Sequence, residues 1–153
     1  MTRLWWSIFV VVLLSMPALS SVRDELPPKI SVALSKATVK RGETVKSVLK
    51  IRFAEGFYGY QNPPTEEYQI PVTLATKPPG VKIKVAYPKG VLREGVGATA
   101  ALYEGDVDIP FEVAVDRPRG RVLATFDVRY QQCTETNCFP PRTKSVQTAL
   151  TVR

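Results

Sequence analysis

Apolar and polar residues alternate one by one along most of the chain, as in a β-strand with one buried face. The longest such series is Val107, Ile109, Phe111, Val113 and Val115. A second series runs from Val122 to Tyr130 and leads towards Cys133. Beyond the first 20 residues, no segment has the apolar spacing of an amphipathic helix. The pattern therefore predicts an all-β fold.

Turn-forming residues separate these alternating runs, for example at Asn62-Pro63-Pro64 and Lys77-Pro78-Pro79-Gly80. Roughly seven to nine short strands are expected from this spacing. A single sheet would leave one apolar face uncovered, so we predict two antiparallel sheets packed face to face, an immunoglobulin-like β-sandwich. Residues 91–101 alternate least and are expected to form a loop.

The first 20 residues differ from the rest of the chain. Arg3 precedes an apolar core of 13 residues from Leu4 to Met16, and Pro17 follows it, ahead of the small residues Ala18 and Ser20. This order predicts a signal peptide, residues 1–20, that is cleaved to leave residues 21–153 as one domain. A retained membrane anchor is the alternative, but a helix needs about 20 apolar residues to cross a bilayer.

Without those residues the chain has no His, Trp or Met, and it contains two cysteines. The lack of His excludes Ser–His–Asp and Cys–His catalysis, and two cysteines alone do not make a zinc site. We therefore expect no metal and no cofactor. The formal charge is +7, but basic residues are scattered, as in Lys82-Ile83-Lys84-Val85. That pattern indicates solvated strand faces rather than nucleic-acid binding.

Cys133 and Cys138 have four residues between them and are followed by Pro140 and Pro141. This spacing lets the cysteines face each other across a hairpin, with Cα atoms about 5.5 Å apart. Most disulfides of exported proteins are structural, but closing so small a loop contributes only about 2 kcal/mol. A working redox couple is therefore favoured. A non-catalytic sandwich module that binds a partner and carries a structural disulfide is the alternative.

Several segments resemble a known family. Tyr130-Gln131-Gln132-Cys133 and Cys138-Phe139-Pro140-Pro141 are similar to the active-site hairpin of the N-terminal periplasmic domain of the thiol:disulfide interchange protein DsbD. Further similar segments follow in the family's order and cover essentially all of residues 21–153; they are 54–60, 70–74, 86–89 and 102–105. The resemblance implies an immunoglobulin-like sandwich whose cysteine pair takes part in thiol–disulfide exchange.

The resemblance also implies a mechanism and partners. Reduced Cys138 attacks the disulfide of a partner, and Cys133 resolves the mixed disulfide. The implied partners are periplasmic thioredoxin-like or disulfide-isomerase-like proteins. The transmembrane and C-terminal thioredoxin-like domains of full-length DsbD have no counterpart in this sequence. We therefore expect a stand-alone carrier whose electron donor is a membrane protein on a separate chain.

Four further residues receive roles from the same resemblance. Leu102 and Tyr103 are implied to lie on a cap loop that shields the cysteine pair, and Tyr58 and Tyr60 are implied to flank it. Without the family, these side chains would be assigned to packing in the core or at its rim.

Overall fold

The computed structural model describes residues 25–94 and 99–153. The predicted signal peptide, residues 1–20, lies outside the described residues. Within the described ranges, every helix or strand assigned is a β-strand. No helix among them is long and apolar enough to cross a membrane.

Eleven strands in the described part of the chain form three sheets. The first sheet contains, in spatial order, Lys29–Leu34 (β1), Thr44–Arg52 (β3), Asp106–Val115 (β9) and Val81–Val85 (β6). The second contains Thr38–Val39 (β2), Arg142–Val152 (β11), Gly120–Tyr130 (β10) and Thr73–Thr76 (β5). The third contains Tyr58–Tyr60 (β4), Thr99–Glu104 (β8) and Val91–Glu94 (β7).

The predicted all-β, immunoglobulin-like fold is confirmed, although the described residues form eleven strands where roughly seven to nine were expected. The third sheet was not expected, and β2 pairs with β11 in parallel whereas the other strand pairs are antiparallel. The prediction of a loop was wrong for residues 91–94 and 99–101, because β7 and β8 pair there, with Val91 opposite Leu102; residues 95–98 lie outside the described residues. All four residues of β7 are exposed. A strand with no buried face does not need alternating apolar and polar residues, so the sequence pattern did not indicate β7.

The hydrophobic core lies between the inner faces of the two four-stranded sheets. Phe111 on β9 and Phe126 on β10 meet edge to face across it, with ring centroids 5.4 Å apart. Leu49, Ile109 and Leu150 are fully buried beside them. The alternating apolar positions of the sequence are therefore the positions that the two sheets bury against each other.

The cysteines lie at one end of this sandwich because of the pairing between β10 and β11. The two strands pair along their whole lengths, from Gly120 opposite Val152 to Tyr130 opposite Arg142. Their connection, residues 131–141, carries both cysteines. Tyr130 is still buried at the last paired position. The connection therefore begins directly after a residue that is both buried and paired.

Replacing Phe126 with Ala should lower the free energy of unfolding by about 3–5 kcal/mol, because a fully buried ring is removed and a cavity remains. Leu123 on the same strand is 50% exposed. Leu123→Ala should therefore change the free energy of unfolding by no more than about 0.5–1 kcal/mol. Chemical denaturation followed by circular dichroism measures both variants. Equal losses in the two would contradict this assignment of the core.

Candidate active site

The cysteines are joined by a disulfide across a tight hairpin. The Thr134 N–H donates to the Asn137 carbonyl at 2.7 Å, and the Phe139 N–H donates to the Gln132 carbonyl at 2.8 Å. These bonds lie on either side of the cysteine pair, so the cysteines occupy a non-hydrogen-bonded position of the ladder, where Cα atoms come closest. Their Cα atoms are 4.0 Å apart, less than the distance of about 5.5 Å expected from spacing alone.

Strand β4 holds Cys133 on its other side. The Cys133 N–H donates to the Tyr58 carbonyl and the Tyr58 N–H donates to the Cys133 carbonyl, each at 2.9 Å. Cys133 is completely buried, whereas Cys138 is exposed. The pair is therefore asymmetric, with one cysteine fixed inside the protein and the other presented to solvent.

Tyr60 lies against both sulfur atoms. Its hydroxyl oxygen is 3.9 Å from the Cys133 Sγ and 3.9 Å from the Cys138 Sγ. Tyr58 packs edge to face on Tyr60, with ring centroids 6.0 Å apart. Burial raises the pKa of both tyrosine hydroxyls above the usual value, so both stay protonated at neutral pH. Tyr60 therefore keeps a proton that it can donate to sulfur.

Leu102 and Tyr103 are consecutive on β8, so their side chains point to opposite faces of the third sheet. Leu102 is the Cα partner of Tyr60 and therefore shares the face from which Tyr60 contacts the disulfide. Tyr103 lies opposite Gly59, packs in the core, and donates from its hydroxyl to the Pro88 carbonyl at 2.7 Å. Both residues are on a strand, not on a loop. Their shielding role stays a prediction.

Two polar side chains, whose contacts the sequence analysis did not predict, attach the hairpin to the start of the described chain. The buried Gln132 donates from Nε2 to the Leu26 carbonyl at 2.7 Å. Arg142 donates from Nε to a carboxylate oxygen of Glu25 at 2.8 Å. The partners lie 106 and 117 residues earlier. Local pattern carries no information about contacts at such separations.

The arrangement suits a cysteine pair that alternates between the dithiol and the disulfide. The backbone hydrogen bonds within the hairpin and between Cys133 and β4 do not involve the sulfur atoms, so reduction of the disulfide leaves them in place. Both oxidation states can therefore share one fold, as efficient exchange requires. Within the described residues, no group of three or more Cys, His, Asp or Glu side chains could hold a metal ion.

Comparison with known proteins extends this view. The family model for the N-terminal part of the thiol:disulfide interchange protein DsbD matches residues 26–150. No curated protein gives a significant match to the chain. Among solved structures, the N-terminal periplasmic domain of ScsB from Proteus mirabilis is similar at a TM-score of 0.61 and 15% identity. The match covers 90% of this chain but 49% of that one, so the chain spans about half of its length.

Two structures from Neisseria meningitidis are also similar, each at 18% identity. One is the DsbD N-terminal domain in its reduced form, with a TM-score of 0.49 over 80% of this chain and 85% of that chain. The other is the complex between the DsbD N-terminal and PilB N-terminal domains, with a TM-score of 0.46 over 79% and 80%. The family model matches most of the chain, and the ScsB domain has a similar fold. The chain therefore belongs to the family of N-terminal domains of the thiol:disulfide interchange protein DsbD, a family of thiol–disulfide exchange domains.

Proposed function

We propose that this protein passes reducing equivalents to periplasmic partners through Cys133 and Cys138. The observation that carries the proposal is the asymmetry of the pair: Cys138 is exposed, Cys133 is buried, and the Tyr60 hydroxyl lies 3.9 Å from both sulfur atoms. An exposed sulfur is accessible to another protein. A buried sulfur beside it is suited to the intramolecular step that follows.

The reaction consists of two exchange steps. The Cys138 thiolate attacks one sulfur of the partner's disulfide, so that bond breaks, a mixed disulfide forms, and the partner's other sulfur leaves as a thiolate and takes up a proton. The Cys133 thiolate then attacks the Cys138 Sγ. This step closes the protein's own disulfide and releases the partner's second sulfur as a thiol. One dithiol is oxidised and one disulfide is reduced, a transfer of two electrons.

Tyr60 assists both steps in this scheme. Its hydroxyl is equally distant from the two sulfur atoms, so it donates a hydrogen bond to whichever sulfur carries negative charge. Hydrogen bonds to an ionised group are stronger than those between neutral groups. Because burial raises the pKa of the Tyr60 hydroxyl, Tyr60 remains a donor under conditions in which the thiols ionise.

The compartment and the partners are part of the same proposal. Residues 1–20 act as a cleaved signal peptide that directs the protein to the periplasm. The electron acceptors are thioredoxin-like or disulfide-isomerase-like proteins, and the donor is a membrane protein on a separate chain. Family membership supports the class of acceptor, and similarity in fold to a periplasmic domain of ScsB supports the location.

Trapping the mixed disulfide tests the proposed function. Cys133→Ser should accumulate a covalent complex through Cys138, because no second thiol remains to release the partner. Cys138→Ser should capture far less, since Cys133 is buried. Non-reducing electrophoresis and mass spectrometry of periplasmic extracts identify the linked residue. Capture by Cys133 alone would reverse the two roles, and capture by neither variant would contradict the carrier function.

The reduction potential separates a working couple from a structural disulfide. We expect a value well above about −300 mV, the level below which structural disulfides resist reduction by glutathione. Equilibration in dithiothreitol and glutathione buffers, followed by alkylation, measures it. A much lower potential, together with unreactive thiols in the folded protein, would favour the non-catalytic binding module.

Removal of the Leu102 side chain tests shielding. Leu102→Ala should increase the rate of alkylation of reduced Cys138 by roughly two- to tenfold, because access to the face shared with Tyr60 widens. Leu150→Ala is the matched control, since Leu150 is equally a buried leucine but lies near the opposite end of β11. Iodoacetamide kinetics measure both variants. A similar acceleration in the control would attribute the effect to loss of stability instead of loss of shielding.

A further inference from the structure

A groove of about 860 Å³ opens beside the cysteine hairpin. Residues 53–58 form one wall, and β7 and β8 form the other. Buried apolar side chains contribute to its lining, among them Phe53, Phe57 and Leu102. Glu135, on the loop between the two cysteines, also lines the groove. The groove therefore reaches the part of the molecule that carries the exchange chemistry.

The lining is strongly acidic although the chain is basic. Four glutamates and one arginine line the groove, a formal charge of −3 in a chain whose total is +7; they are Glu55, Glu94, Glu104, Glu135 and Arg93. Arg93 binds the Glu104 carboxylate through two hydrogen bonds of 3.1 and 2.7 Å. In the part of the chain that the structure describes, no basic side chain forms an ion pair with Glu55 or Glu135.

The groove is continuous with the cysteine pair through Tyr58. Tyr58 lines the groove, and its backbone exchanges two hydrogen bonds with Cys133. Burial and the neighbouring Tyr60 raise the pKa of the Tyr58 hydroxyl most, and the charges of Glu135 and Glu104 raise it further. The field of these carboxylates thus extends to a side chain that packs directly on Tyr60.

We propose that this groove binds a basic segment of the partner next to the partner's reactive disulfide, and so selects the disulfides that Cys138 reduces. The proposal rests on the proposed exchange function. Lys and Arg suit the groove because their aliphatic stems cover apolar surface while their charged ends reach carboxylates. Complementary charge of this kind chiefly raises the rate of encounter and excludes partners of the wrong sign.

Synthetic disulfide peptides test this selectivity. Three peptides carry the same disulfide flanked by Lys, Gln or Glu, and the reduced protein is the only reductant. At low ionic strength the Lys peptide should be reduced about tenfold faster than the Glu peptide, and the ratio should fall as salt screens the charges. The net charge of +7 would by itself favour the Glu peptide. A preference for Lys must therefore arise from local negative charge.

Substitutions locate that charge. In the double variant Glu55→Gln/Glu135→Gln, the ratio of the Lys to the Glu rate should fall at least threefold. The double variant Glu67→Gln/Glu112→Gln is the matched control, because it also removes two exposed carboxylates and neither lines the groove. It should keep the ratio of the unmodified protein. A ratio near one in the unmodified protein, an unchanged ratio in the first double variant, or an equal fall in the control would each overturn the groove proposal.

A binding measurement separates this proposal from the exchange function. Peptides with Ser in place of Cys are added to the oxidised protein, and amide chemical shifts are followed by NMR. The Lys peptide should shift the amide resonances of Glu135, Leu102 and Ala100. Shifts of other residues only, or no shifts, would overturn the groove proposal. If the protein reduces none of the three disulfide peptides, the proposed function fails and the groove proposal fails with it. Equal reduction of all three overturns the groove proposal alone.

Discussion

The two backbone hydrogen bonds between Tyr58 and Cys133 determine the geometry of the whole site. Strands β10 and β11 fix the base of the cysteine hairpin, but they do not determine which surface its sulfur atoms meet. The bonds to β4 do so, because they set the register between the hairpin and the third sheet. That register brings the Tyr60 hydroxyl to both sulfur atoms and Leu102 to the same face. Losing these bonds would leave backbone groups of the buried Cys133 unpaired, which is costly.

The sequence predicts the two sheets that bury apolar faces against each other. It does not predict the third sheet. Alternation on β9 and β10 predicts the core because a one-residue slip would expose the whole apolar set. The third sheet lacks this constraint, since β7 is exposed and β4 has three residues. Its position depends on close packing: a Cβ on Gly59 would lie 2.8 Å from the Phe53 ring. Such a contact is visible only in three dimensions.

The site shows the same division between local and long-range information. Spacing predicted the hairpin and the disulfide, both local properties, but not the ladder position that brings the Cα atoms to 4.0 Å. Alternation also implies that two consecutive residues cannot face the same target. The resemblance grouped Leu102 with Tyr103, whereas the strand directs Tyr103 into the core. Gln132 and Arg142 contact residues at the start of the described chain, and no local pattern predicts those contacts.

The acidic groove and the thiol chemistry make opposing electrostatic demands. Carboxylates near a cysteine disfavour its thiolate, the form that attacks a disulfide, and Glu135 lies on the loop between the two cysteines. The same carboxylates attract a basic partner over a longer distance. A hydrogen bond from the Tyr60 hydroxyl acts directly on the sulfur and favours the charged form. In the proposed mechanism, the hydrogen bond from Tyr60 offsets at short range the repulsion between these carboxylates and the thiolate. One small surface can then both attract a cationic partner and carry out the exchange.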